Sequence, residues 1–324
     1  MRRLLPLLVA LLSVGGAGSR VTGSPQGAWS VEQRPAGLVI SRGGVAVAEF
    51  LLGDDAMRRP GLANLRAPQG TPVTRSHPPR EGRDATDHAA MHPGLWLAFG
   101  DVSGEDFWRN QARMEHLGFD EDPRASADGV RFTARARLRS SAGADMGTIE
   151  NRLAIVDEPE GRVVAWVATI RAEGAPLVLG DQEEMGFGVR LATGLEEKAG
   201  GRIVNSAGES TAAGTWGRVA GWCHATGVDG RTGVTVVADP GNFRPSWWHN
   251  RDYGLLVANP FGRRALARGE PSLVTVPLGE PLRLAFAAVL HDGDPTDPAA
   301  DPAAAAAAAL ELLRERIGAG AAGE

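Results

Sequence analysis

The chain has 324 residues, 43% of them hydrophobic and 23% charged, with a formal net charge of −5. These proportions belong to a folded globular protein and exclude wholesale disorder, and the mild acidity gives no basic footprint for nucleic acid. Glycine and proline number 43 and 21, too many breakers for long helices, so the composition predicts many short strands joined by turns.

In chain order, the first element expected is a signal peptide over residues 1–20. Arg2 and Arg3 supply a positive start, Leu4 to Val14 an apolar stretch too short to span a bilayer, and Gly15 to Ser19 small residues for cleavage. No later stretch approaches ~18 consecutive apolar residues. The expected product is secreted or periplasmic, with no membrane insertion after signal cleavage.

Residues 25–292 then read as one β-sandwich domain. Strands are expected near 28–34, 37–41, 45–52, 94–100, 111–118, 184–192, 247–258, 272–277 and 282–291. Between Val130 and Leu138, apolar residues alternate with Arg131, Thr133, Arg135 and Arg137, the pattern of a sheet with one wet face. Strands at 147–156 and 162–172 flank a turn at Asp157–Gly161, and strands at 218–226 and 232–238 flank Asp229-Gly230, a strong tight-turn signal. The run Val163–Ala168 is apolar on both faces, as a strand enclosed on both sides would be. Cys223 is the sole cysteine, which excludes an intramolecular disulfide and a multi-cysteine metal site; beside Trp222 it reads as a small buried hydrophobe. Residues 293–301 read as a linker. Asp301 as N-cap, Pro302 at the first helical position and Gly318 after the last turn predict a terminal helix over 302–317, an appendage to the sandwich that is either docked or frayed. The fold class expected is all-β: a large antiparallel two-sheet sandwich, by analogy a galactose-mutarotase-like supersandwich, with one C-terminal helix.

Three segments concentrate chemistry-bearing side chains. In Asp84–Trp96, His88 and His92 stand four apart, a spacing that can bite a metal ion, or that can open a polar cluster onto a ligand cleft. In Asp181–Arg190, period two sends Glu183 and Glu184 to opposite faces. Glu184 shares a face with Gly186 and Gly188, which would leave space for a ligand, and it is the candidate general base. In Asp239–Gly262, a strand through Trp247-Trp248-His249-Asn250-Arg251-Asp252-Tyr253 puts Trp247, His249, Arg251 and Tyr253 on one face. An aromatic, an imidazole and a guanidinium in a row suit a polar ring-shaped ligand, by stacking and fixed hydrogen bonds.

Asn64 to Arg75, Asp87-His88 to His92, Gly94 to Val102 and Asp106-Phe107-Trp108 together resemble the signature of the "methane oxygenase PmoA-like" family. Glu184 to Arg190, Trp248 to Gly254 and Ala258 to Gly262 extend the likeness across residues 28–290. The resemblance implies a secreted bacterial domain of unknown function. The family's denser histidine cluster, followed by Arg-Gly-Leu-Trp, is interrupted here by Ala89, Ala90 and Pro93. The oxygenase label does not carry over, since a membrane monooxygenase subunit needs several transmembrane helices and this chain has none after its signal.

These readings predict a carbohydrate-active protein doing acid/base chemistry on a sugar: epimerisation, hydrolysis or elimination. Glu184 is the expected base, with His249 or His92 the partner acid. His88, Trp96, Trp247, Arg251 and Asn259 are the expected ligand-binding residues. No cofactor is required, although a divalent metal held by His88, His92 and His249 is an alternative, as is a noncatalytic carbohydrate-binding module.

Overall fold

The structure is a computed structural model that describes residues 27–120, 122–294, 296 and 300–317. The expected signal peptide lies outside the described residues, as does much of the expected linker.

Two large antiparallel sheets form the body. The first has eight strands in the spatial order β1 (Trp29–Arg34), β2 (Gly37–Arg42), β3 (Val45–Leu51), β4 (Gly61–Ala63), β5 (Gly94–Phe99), β12 (Met185–Arg190), β17 (Leu255–Asn259) and β16 (Trp247–Trp248). The second runs β13 (Arg202–Asn205), β14 (Trp222–Thr226), β15 (Gly233–Ala238), β19 (Leu282–His291), β10 (Gly161–Ala172), β9 (Asp145–Glu158), β8 (Gly129–Arg139) and β6 (Arg113–Phe119), with β7 (Arg124–Ser126) also paired to β8. A small third sheet pairs β11 (Leu177–Leu179) with β18 (Val274–Val276). Between the large sheets lies one apolar core. There Phe187 of the first sheet stacks on Phe286 of the second, with ring centroids 5.2 Å apart, and Phe50 meets Phe132 edge-on at 4.8 Å. The all-β two-sheet sandwich expected from the sequence is the fold observed.

Local chemistry explains the individual strands. Along β8 the apolar residues Val130, Phe132, Ala134, Ala136 and Leu138 are buried, while Arg131, Arg135, Arg137 and Arg139 reach solvent to differing degrees. The hairpin turn before β15 is closed by Asp229, whose carboxylate accepts from the Arg231 and Thr232 amides, with Gly230 at φ +65°. β10 is covered on both faces for two different reasons. Val164, Trp166 and Ala168 face the inter-sheet core, whereas Val163, Ala165 and Val167 face helix α2 (Pro302–Leu312), the second helix after the short α1 (Ala212–Thr215). Asp301 caps α2 by accepting from the Ala303 amide at 3.0 Å, and one π turn continues it through Leu313–Ile317. Ala305, Ala306, Ala309, Leu312 and Leu313 pack against Val156, Val163, Ala165, Val237, Ala287 and Val289. Of the docked and frayed arrangements expected for this terminal helix, the docked one is observed: it covers the second sheet. No described helix is long and apolar enough to cross a membrane.

The expected continuous strand over 247–258 is instead a hairpin. His249 and Val257 exchange both backbone hydrogen bonds, the Arg251 amide donates to Leu255, and Gly254 at φ +85° turns the chain. Only a residue tolerant of positive φ fits that turn without strain. The short strands β4, β7, β11 and β13, three or four residues each, carry too little periodicity to be predicted.

Candidate functional site

The outer face of the first sheet, over β5, β12 and β17, carries a separate apolar cluster of Trp96, Ala98, Trp108, Leu255 and Val257, with Met91 and Tyr253 packed on it. Above this floor lies a cavity of about 170 Å³ lined by His88, Met91, His92, Trp108, Arg109, Glu184, His249, Arg251, Tyr253 and Leu255. Five residues predicted from separate stretches of sequence, His88, His92, Glu184, His249 and Arg251, meet there.

Two buried arginines fix the loop that brings in the histidines. Arg75 donates to the carbonyls of Ala85, Asp87, His88 and His92, the first and last at 3.0 Å. Arg190, on the outer face of β12, grips the Asp87 carboxylate with two parallel hydrogen bonds of 2.8 and 2.9 Å. A third buried arginine, Arg59, donates to the Met91 carbonyl. Burial opposes the charge on Asp87, yet the hydrogen bonds from Arg190 and His88 and the charges of Arg190 and Arg75 hold its carboxyl well below the usual range. Asp87 in turn binds His88 Nδ1 at 2.8 Å. Arg190 also lies under the Tyr253 ring, 4.6 Å from its centroid.

His88 and His92 stack face to face, ring centroids 5.0 Å apart, and His92 stacks in turn on Trp96 at 4.8 Å and 7°. A face-to-face pair does not converge its nitrogens on a point. Among the described residues no group of three or more His, Cys, Asp or Glu side chains is placed to hold a metal ion. His92 is buried, and burial first, then the charges of His88, Arg190, Arg59 and Arg75, push its imidazole down to about 2. It is neutral at any physiological pH. Trp96 is wholly buried beneath it, so the predicted ligand-stacking role of this indole is corrected: His92 stacks on the ring, the Arg59 guanidinium lies over it 5.7 Å from the centroid, and Trp108 packs against it at a steep angle. Gly188 leaves room for the ring. A Cβ there would stand 2.7 Å from the Trp96 ring, and one at Gly186 would strike the Ala258 carbonyl at 2.2 Å. The glycines thus admit an indole and a neighbouring strand, not a ligand.

The paired glutamates lie in the bend before β12, so strand alternation does not separate them. Glu184 lines the cavity and pairs with Arg109 at 2.6 Å; Arg109 also binds Asp106 at 2.8 Å. Glu183 reaches Arg251 at 2.5 Å and stands 3.4 Å from His249 Nε2. Burial raises the Glu183 carboxyl, helped by Glu184 and opposed by Arg251. His249 is buried and binds the Glu183 carbonyl through Nδ1 at 3.0 Å. A carbonyl only accepts, so Nδ1 carries the proton, and the Nε2 lone pair, buried and without a hydrogen bond, faces the Glu183 carboxylate. Burial and Arg251 push this imidazole down to about 4.

Two predicted binding residues have other duties. Asn259 is buried, donates to the Gln182 and Glu183 carbonyls and accepts from the Phe261 and Gly262 amides, so it holds the glutamate bend in place instead of touching a ligand. Trp247 is half-buried and does not line the cavity. Its neighbours on the opposite face behave as the alternation requires. Trp248 is in the core, with Nε1 donating to Ala220, and Asn250 donates to Thr215 and the buried thiol of Cys223. Burial pushes that thiol well up, as an inert core cysteine should be. Sequence reasoning missed Arg109, Glu183 and the buried arginines. Arg109 directly follows the Asp106-Phe107-Trp108 motif, the one local signal that pointed to it.

A family model matches residues 37–306. The chain belongs to the family of unknown function DUF6807. The DUF6807 match takes in the whole cavity and ends inside α2, so the site and part of the helical cover are features of the matched region. No curated protein matches the chain. Among solved structures it is similar to a galactose mutarotase-like protein from Lactobacillus casei, at 10% identity and a TM-score of 0.38, covering 81% of this chain and 100% of that one. It is also similar to the Slr1438 protein from Synechocystis sp., at 12% identity and a TM-score of 0.37, covering 84% and 99%. These likenesses are distant.

Proposed function

We propose that the cavity binds a small sugar and carries out acid/base chemistry on it, with His249 Nε2 as proton acceptor and Glu184 as the second proton-carrying group. The observation that carries this reading is the meeting of His88, His92, Glu184, His249 and Arg251 around one cavity, with the neutral His249 Nε2 3.4 Å from the Glu183 carboxylate. A base must lie within hydrogen-bond reach of the proton it takes; His249 Nε2, buried beside the Glu183 carboxylate, reaches a ligand proton once that carboxylate moves aside. One Glu184 oxygen is held by Arg109; the other is left to a ligand. Arg251 and His88 orient the ligand, and Tyr253, Met91 and Leu255 supply apolar contact. At about 170 Å³ the cavity is below the ~300–1,000 Å³ of drug-sized pockets, which favours one sugar ring over a polymer chain. We place this activity outside the cytoplasm, on the signal-peptide pattern of residues 1–20.

A second reading, a noncatalytic sugar-binding protein, is favoured by one observation: both glutamates are engaged by arginines, an arrangement sufficient for recognition. The two separate in one experiment. A panel of reducing monosaccharides is titrated by calorimetry and then followed by proton NMR in deuterated buffer for anomer exchange, epimerisation or solvent exchange at carbon. Turnover that disappears in His249→Gln while binding persists supports the enzyme. Binding without turnover across the panel leaves the noncatalytic reading, and no binding removes both.

A further inference from the structure

We infer that the cavity is built for a neutral, hydroxyl-rich ring and discriminates against anionic sugars such as uronates and sugar phosphates. The inference rests on the sugar-binding reading and specifies its ligand class.

Every arginine at the cavity already has its anion. Arg109 is paired with Glu184 and Asp106, Arg251 with Glu183, and Arg190 behind Tyr253 with Asp87. A ligand carboxylate or phosphate would have to displace a glutamate from its guanidinium, and would then stand beside that displaced like charge. Such juxtaposition is what interfaces use to reject wrong partners. A hydroxyl meets no such conflict. It can accept from the guanidinium and donate to the carboxylate of the same pair, because it is donor and acceptor at once. His249 Nε2 is neutral, buried and 3.4 Å from the Glu183 carboxylate, so it offers a ligand anion no free cation.

The test compares D-glucose, D-galactose and D-mannose with their uronates and 6-phosphates by titration at low salt, in the wild type and in Glu183→Gln. The wild type is expected to bind its best neutral sugar at least tenfold more tightly than the corresponding uronate. Glu183→Gln leaves Arg251 without its anion and removes the like charge, so that ratio should fall by about tenfold. If Glu183→Gln fails to fold, Glu184→Gln makes the same test at Arg109, with a smaller change because Asp106 remains. A wild type that prefers a uronate or phosphate overturns the inference while leaving the sugar reading intact. An unchanged ratio in the folded variants also overturns it. Binding of neither class removes the sugar reading, and this inference falls with it.

Discussion

Trp248 and Arg251 stand three residues apart on one hairpin and should fail in opposite ways. Trp248→Ala opens a cavity in the inter-sheet core and should cost roughly 3–5 kcal/mol of stability, measured by denaturant unfolding. Arg251→Ala should leave stability nearly unchanged, because its side chain is 39% exposed, while weakening ligand binding by about 1.5–3 kcal/mol, the scale of a lost charge-assisted hydrogen bond. A silent Trp248→Ala alongside an unfolded Arg251→Ala would mean that the faces are inverted. Gly188→Ala should cost about 1–3 kcal/mol by overpacking against Trp96, and a melting temperature equal to the wild type would refute that contact. At this scale the sequence was readable where alternation governs, as it does from Trp248 to Arg251. It misled where a side chain's task is set by a distant partner. Nothing near Glu183 announces Arg251, and nothing near Asn259 announces the Gln182 and Glu183 carbonyls that occupy it.

Among elements, α2 is the one whose role the sequence hid. A run of alanines carries almost no amphipathic contrast, so its docking face could not be read from periodicity, whereas its caps could. The doubly apolar β10 recorded the cover indirectly. Truncation after residue 300 should therefore expose Val163, Ala165, Val167 and Val289 to water, lowering the melting temperature and raising binding of a hydrophobic dye. A truncated chain that melts like the full one, without dye binding, would show the helix to be dispensable. The loop of residues 84–92 was legible as a cluster of functional groups but not as a fixed structure. Of its staples, Arg59 and Arg75 lie upstream of the loop whereas Arg190 comes from a remote part of the chain, and a strand arginine such as Arg190 would ordinarily be assigned to solvent.

For the molecule as a whole, buried neutral histidines set the response to acid. His92, His224 and His249 are pushed by burial from an ordinary 6.5 to about 2, 3 and 4. The unfolded chain takes up their protons near pH 6.5 and the folded chain refuses them. Stability is therefore fully present above that pH and falls as pH drops from about 6.5 toward 4. Each histidine contributes up to about 1.4 kcal/mol per pH unit. Loss of the depressed Asp87 carboxylate acts in the same direction at still lower pH. Denaturant midpoints at pH 7, 6, 5 and 4 should decline steeply below pH 6, and a midpoint that holds or rises toward pH 5 would contradict the buried neutral assignment. The architecture itself was the most legible level, because long strands such as β8, β9 and β10 repeat their pattern often enough to average out local exceptions.

The hairpin from Trp247 to Asn259 gives one stretch of chain two duties, core on one face and cavity on the other. A strand's faces exchange when its register slips by one residue. Deleting a single residue between Trp248 and Arg251 would thus send an imidazole or a guanidinium into the core and an indole into the cavity in one step. Ligand preference at this cavity can drift by point substitution, but length changes here should be closed to descent, since every such variant loses its fold before selection can weigh a new activity.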